Sequence, residues 1–143
     1  PSFAEPPVAF GDGAAVAGRA TLGRGSHFGA LAAIRADGHH VTVGDDFWLG
    51  PRSTIHIAHE VLPAHVGHHV TVGINTTVHA CTVGDHCVIE DNVVILDGAR
   101  VGDGCVVASG SVVFPRAELP ADFEHRGTLV ATRWDAEHEI QVP

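Results

Sequence analysis

Apolar side chains recur along this chain at steps of six: Val16, Leu22, Phe28 and Ile34; Val43, Leu49 and Ile55; Val72 and Val78; then Val83, Ile89, Ile95, Val101, Val107 and Val113. Glycine often follows, as in LGRGSH, VGDDFW, LGPRST, VGDHCV and VGDGCV. A period of six matches neither the 3.6 of a helix nor the two of a long strand, but it matches a short strand with a turn after each one. Gly and Asp beside the aliphatic position supply the backbone angles that a corner needs. Three such units close one coil of about eighteen residues, with the aliphatic column inside and successive strands about 4.8 Å apart. The predicted fold class is therefore all-β, a parallel β-helix of hexapeptide repeats. An antiparallel sandwich would need alternation over longer runs and a turn signal about every 8 to 12 residues.

The count is interrupted in three places. RADGHH lengthens the step between Ile34 and Val43, HIAHEVLPAHVGHH makes a longer excursion between Ile55 and Val72, and the step from Val78 to Val83 is five. Outward bulges of a solenoid tend to carry function. After Val113 the pattern stops at Phe114-Pro115, which predicts a β-helix over residues 1–114 and a C-terminal extension over 115–143 packing on it. Within that extension GTLVATRWDAEHEI is expected to form a short helix laid along the solenoid.

A chain of 143 residues and 14.9 kDa has room for one ordinary domain. No apolar run approaches the roughly 20 residues that cross a bilayer, and the segment PSFAEPPVAFGDG lacks the pattern of a secretion signal, so a cytoplasmic location is expected. A formal charge of −9 argues against binding a phosphate backbone, so nucleic acid is not an expected partner. Cys81, Cys87 and Cys105 form no C-x-x-C spacing and are expected to be small core residues. Twelve histidines remain, seven of them between His39 and His69, which makes that region a candidate for metal chemistry.

The hexapeptide ladder occurs together with R-A-D at Arg35 to Asp37, I-H at Ile55-His56, V-H-A-C at Val78 to Cys81 and L-D-G-A at Leu96 to Ala99. In this combination the chain resembles γ-class carbonic anhydrases over roughly residues 16 to 114. The resemblance implies a left-handed β-helix, against the general right-handed rule for parallel connections. It also implies a homotrimer with sites between subunits, in which three histidines, two from one subunit and one from its neighbour, hold Zn²⁺ and activate water. Carried over by position, Arg35 and Asp37 match the family's supporting pair, while His56 and His79 match the two histidines of one subunit. The register agrees, since each follows the aliphatic position of its unit and the two should stack one coil apart. The third ligand's position is Ile74, Gly50 falls where the family has a glutamine, and Glu90-Asp91-Asn92 stands where relatives commonly have G-x-G. Asp91 should share a column with Ile74.

Four functional readings follow. One is a metal-free enzyme in which Asp37, His56, His79, Glu90 and Asp91 perform acid–base chemistry on a small organic molecule in the intersubunit cleft, Arg35 holds a carboxylate, and Trp48, Ile74 and Asn75 bind the molecule. Another keeps Zn²⁺ on His56 and His79, with Asp91, His68, His69 or Asn75 of a neighbour as third ligand. A third is a trimeric binding or structural protein. The fourth is a hexapeptide acyltransferase with Asn75-x-x-x-His79 at its site, although RGTLVATRW stands where such enzymes show a coenzyme A segment. The stretch from His59 to His69 is expected to be a lid over the cleft, with His65, His68 and His69 as a weaker second metal motif.

Overall fold

The computed structural model describes residues 2–3, 9–58 and 61–125, together with short strands at 130–131, 134–135 and 139–140. The chain winds into a left-handed parallel β-helix of about six turns. Face one carries rungs at 15–16, 33–34, 54–55, 77–78, 94–95, 112–113 and 130–131. Face two carries them at 2–3, 21–22, 42–43, 65–66, 82–83, 100–101 and 118–119. Face three carries them at 9–10, 27–28, 48–49, 71–72, 88–89, 106–107 and 124–125. In most rungs the second residue points inward. Leu22, Phe28, Ile34, Leu49, Ile55, Ile89 and Ile95 are at most 1% exposed.

The three interruptions of the period, after Ile34, Ile55 and Val78, all fall on one edge, the one joining face one to face two. From residue 10 to residue 125 the other two edges keep the step of six. At the upper levels the corner is flattened: the strands Ala15–Leu22 and Ala33–Val43 run straight from one face onto the next, with a bulge between Gly18 and Arg19. One level down, the excursion after Ile55 closes on itself through hydrogen bonds between Ala58 and Leu62 and between Val61 N–H and the Ala58 carbonyl. The strand Ala64–Val66 then rejoins the ladder, with Val66 buried. The expected lid from His59 to His69 therefore shrinks to the few residues before Ala64. His59 itself lies outside the described residues.

The ladder also runs past residue 114. Glu118–Leu119 pairs with Arg100–Val101, Glu124–His125 with Val106–Val107, and Val130–Ala131 with Val112–Val113. Leu119 continues the inward column and is 2% exposed. Pro115 and Pro120 sit at corners, where a missing amide proton costs no rung, so they do not end the solenoid. The described parts of the segment expected to be helical are strands, including the antiparallel pair Trp134–Asp135 and Glu139–Ile140. Among the described residues no helix is long and apolar enough to cross a membrane.

Beneath the edge between faces three and one, buried hydroxyls link consecutive coils. Ser53 Oγ–H donates to the Gly73 carbonyl at 2.6 Å and accepts from Thr76 N–H at 2.9 Å; Thr76 Oγ–H donates to the Glu90 carbonyl at 2.7 Å and accepts from Val93 N–H at 3.2 Å. Thr76→Val keeps the shape but strands a donor and an acceptor. It is expected to cost about 1–3 kcal/mol, read as a lower urea midpoint at fixed protein concentration. An unchanged midpoint would mean that the coil spacing relaxes to pair those groups directly.

Candidate functional site

The irregular edge brings together Arg35, Asp37, His56, His79 and Asp97. Arg35, His56 and His79 occupy one register column on three successive coils, because each directly follows an inward aliphatic residue. The His56 and His79 rings lie 5.0 Å apart, edge to face at 69°. Asp97, on the next coil, contacts His79 Nδ1 through Oδ1. An ionised carboxylate can only accept, so Nδ1 donates in this contact, and in the neutral form of the ring the lone pair is on Nε2. Asp37 Oδ1 is 3.9 Å from His56 Nε2, and its Oδ2 is 3.7 Å from Arg35 Nη2.

Asp97 is the functional candidate that site assignment by sequence missed. It belongs to the L-D-G-A motif, yet it stands two places after Ile95, whereas His79 stands one place after Val78. Simple register counting therefore puts Leu96, not Asp97, in the histidine column. The five-residue step after Val78, with Ala80 at φ 47°, turns the chain early and brings Asp97 alongside His79. Cys81 is close by but is not a nucleophile: burial, aided by the charge of Asp97, pushes its thiol up to about 12. All three cysteines are buried and free, as expected of core residues.

Partial burial lowers the His56 pKa, and the neighbouring His79 and Arg35 lower it further, outweighing Asp37 and Asp97, which raise it. His56 is thus neutral near pH 7. Below its unfolded value of 6.5 the unfolded chain takes up a proton that the folded chain resists, so the unfolded state binds more protons and folding stability falls with pH. The loss begins as pH drops through 6.5 and levels off once folded His56 protonates. His56→Gln is expected to flatten this part of the profile of urea midpoint against pH. An identical slope in the variant would show that other groups produce it.

Other expected site residues lie elsewhere in the same chain. Ile74, Asn75, Glu90 and Asp91 sit on the edge between faces three and one. Asp91 does share a column with Ile74, and its Oδ1 accepts the Ile74 N–H at 2.8 Å. Glu90 Oε1 accepts the Ser109 N–H at 3.0 Å, and Asn75 Oδ1 accepts from Arg52 Nε at 3.0 Å. Trp48 stands on face three, across the solenoid from His56 and His79, stacked on His27 at 4.1 Å and 7°. His68 and His69 form the third edge: His68 Nδ1 accepts the Asp45 N–H at 2.8 Å, and His69 stacks on His86 at 5.0 Å. His65 points outward on face two and is exposed. The His65, His68 and His69 motif is thus spread along a strand and a corner.

Catalytic zinc keeps three protein ligands. Among the described residues of one chain, no three His, Cys, Asp or Glu side chains group around a common point. His56 and His79 supply two imidazoles, and Asp97 is engaged behind His79. One chain therefore does not fit a three-ligand ion.

Residues 80–115 match the bacterial transferase hexapeptide family (six repeats). The chain is 32% identical over 75 residues to the mitochondrial gamma carbonic anhydrase 2 of Arabidopsis thaliana, a match covering 49% of this chain and 27% of that protein. The matched region thus spans about a quarter of the relative's length. Among solved structures, a hexapeptide transferase family protein from Anaplasma phagocytophilum superposes with a TM-score of 0.72 at 17% identity, over 99% of this chain and 81% of that one. A putative acetyltransferase from Bacillus cereus gives 0.55 at 18% identity, over 99% and 76%. At such identities these structures speak for the fold alone. The chain is a hexapeptide-repeat β-helix protein with distant similarity to the γ-class carbonic anhydrases.

Proposed function

We propose that this chain is a homotrimeric enzyme that carries out acid–base chemistry, of lyase or hydrolase type, on a small organic substrate in the clefts between subunits. The contact of Asp97 with His79 Nδ1 is the observation that supports it most directly. It fixes the tautomer, turns Nε2 away from Asp97, and offsets the charge His79 gains on taking a proton. His56, whose neutral form is favoured, is the partner that delivers or receives the second proton. Arg35, more than half exposed, keeps guanidinium N–H groups beyond its 3.7 Å contact with Asp37 that can bind a carboxylate. The position matched to the family's third histidine is a hydrocarbon, Ile74, so zinc-hydroxide attack on carbon dioxide is not the chemistry proposed. A metal-retaining site is the second reading, favoured by the carboxylate behind His79, since metal-bound imidazoles are oriented in the same way.

The test is a substrate screen of esters, lactones and hydroxy acids with chelator-treated protein, alongside elemental analysis. Turnover that survives chelation and disappears in His79→Ala supports the acid–base enzyme. Turnover that requires zinc at one ion per chain selects the metal reading instead.

A further inference from the structure

The three faces differ in what they show outward. Face one presents Ala15, Ala33, Thr54, Thr77, Val94 and Val112, small and uncharged, whereas face two includes His65, Arg100 and Glu118. At the height of His56 the two edges of face one differ in charge: one has Asp37 beside the histidines and the other has Arg52, while Asp12, Glu90 and Asp91 share Arg52's edge two coils away. Arg52 lies four residues before His56 on one coil, and Asn75 four residues before His79 on the next, so the two edges match in height.

Arg52 is exposed, and its Nε–H donates to Asn75 Oδ1 at 3.0 Å, which orients the guanidinium. Among the described residues it makes no ion pair. In a chain of net charge −9, whose eight basic residues are all arginines, an oriented and unpaired guanidinium is a local exception to the field that repels anions. A threefold axis parallel to the solenoid keeps each coil at its own height, so packing on the uncharged face brings Arg52 of one subunit to the histidine edge of the next, level with Asp37 and His56.

We propose that Arg52 of the partner subunit is the anion-binding residue of this site. Aimed by its own Asn75, it holds a small organic carboxylate together with Arg35 of the first subunit, above His56 and His79. Ile74 of the partner subunit shields that ion pair from water. This rests on the homotrimer of the preceding section and narrows its substrate to carboxylates.

The experiment is calorimetric titration of the full chain with malonate, using malonamide as the uncharged control, and light scattering on every sample. The wild type is expected to be a trimer that binds malonate and not malonamide. Arg52→Gln should weaken malonate about tenfold or more, and Arg52→Lys, which keeps the charge but loses the fork, should fall between. Trimers reassembled from equal parts of Arg52→Gln and Arg35→Gln chains should regain about a quarter of the wild-type sites, because each site takes one arginine from each of two chains. If Arg35→Gln does not assemble, the two Arg52 variants decide alone. Failure of the wild type to bind malonate, wild-type affinity in Arg52→Gln, or no recovery in the mixture overturns the proposal while leaving His79 in its role. A monomer in light scattering overturns both this proposal and the homotrimeric enzyme. Turnover indifferent to His79→Ala with malonate binding intact removes the enzyme and keeps the anion site.

Discussion

His79→Ala is expected to lower kcat/KM about 10²- to 10⁴-fold, the range a positioned acid–base group contributes. Asp97→Asn should come close to it. An asparagine keeps the size and one acceptor, but it can also offer an N–H to Nδ1 and so stabilise the other tautomer, with the Nε2 proton facing the substrate. Neither change touches the packed interior, since both side chains are only partly buried, so the urea midpoint should move far less than the rate. The pair also separates two roles for Asp97. If it acts through His79, the double variant is no worse than His79→Ala alone; a further loss in the double variant would place Asp97 in direct contact with the substrate.

The largest effect on stability is expected at Phe47. Its side chain is fully buried and packs against Phe28 with ring centroids 6.0 Å apart at 60°. Phe47→Ala should cost about 3–5 kcal/mol, the transfer free energy of the ring plus the cavity it leaves. A solenoid limits how far neighbours can close that cavity, because each coil is held at the rung spacing by hydrogen bonds to the coils on either side. Denaturant unfolding at fixed protein concentration measures it, since the apparent stability of the proposed trimer would depend on concentration. A loss under about 1 kcal/mol would show that the coil collapses inward despite its rungs.

These two changes probe different kinds of information in the chain. Phe47 packs on Phe28, which belongs to a pattern visible in the sequence, because burial of an aliphatic or aromatic column at a fixed period needs no knowledge of distant contacts. The same holds for His56 and His79: each follows an inward residue, and a parallel ladder with no slip must stack them. Asp91 beneath Ile74 is a third case of simple counting. Counting failed wherever the period itself changed. Val66 resumes the ladder inside a stretch that reads as a lid, while Leu119 keeps the step of six past Pro115, which reads as the ladder's end. Prolines interrupt a strand but not a corner, and the sequence does not mark which of the two a given proline occupies until the coils are stacked.

The solenoid, its inward aliphatic column and the stacking of His56 on His79 are legible in the residues alone, because all of these follow from a local repeat acting through one rung spacing. The stacked coils add that Arg35 joins that column, that the three irregular steps share an edge, that Asp97 reaches His79, that Trp48 lies across the solenoid from both, and that Arg52 is oriented at their height. Those facts depend on how many residues each corner consumes, and that is settled by the coils above and below rather than by the residues of the corner.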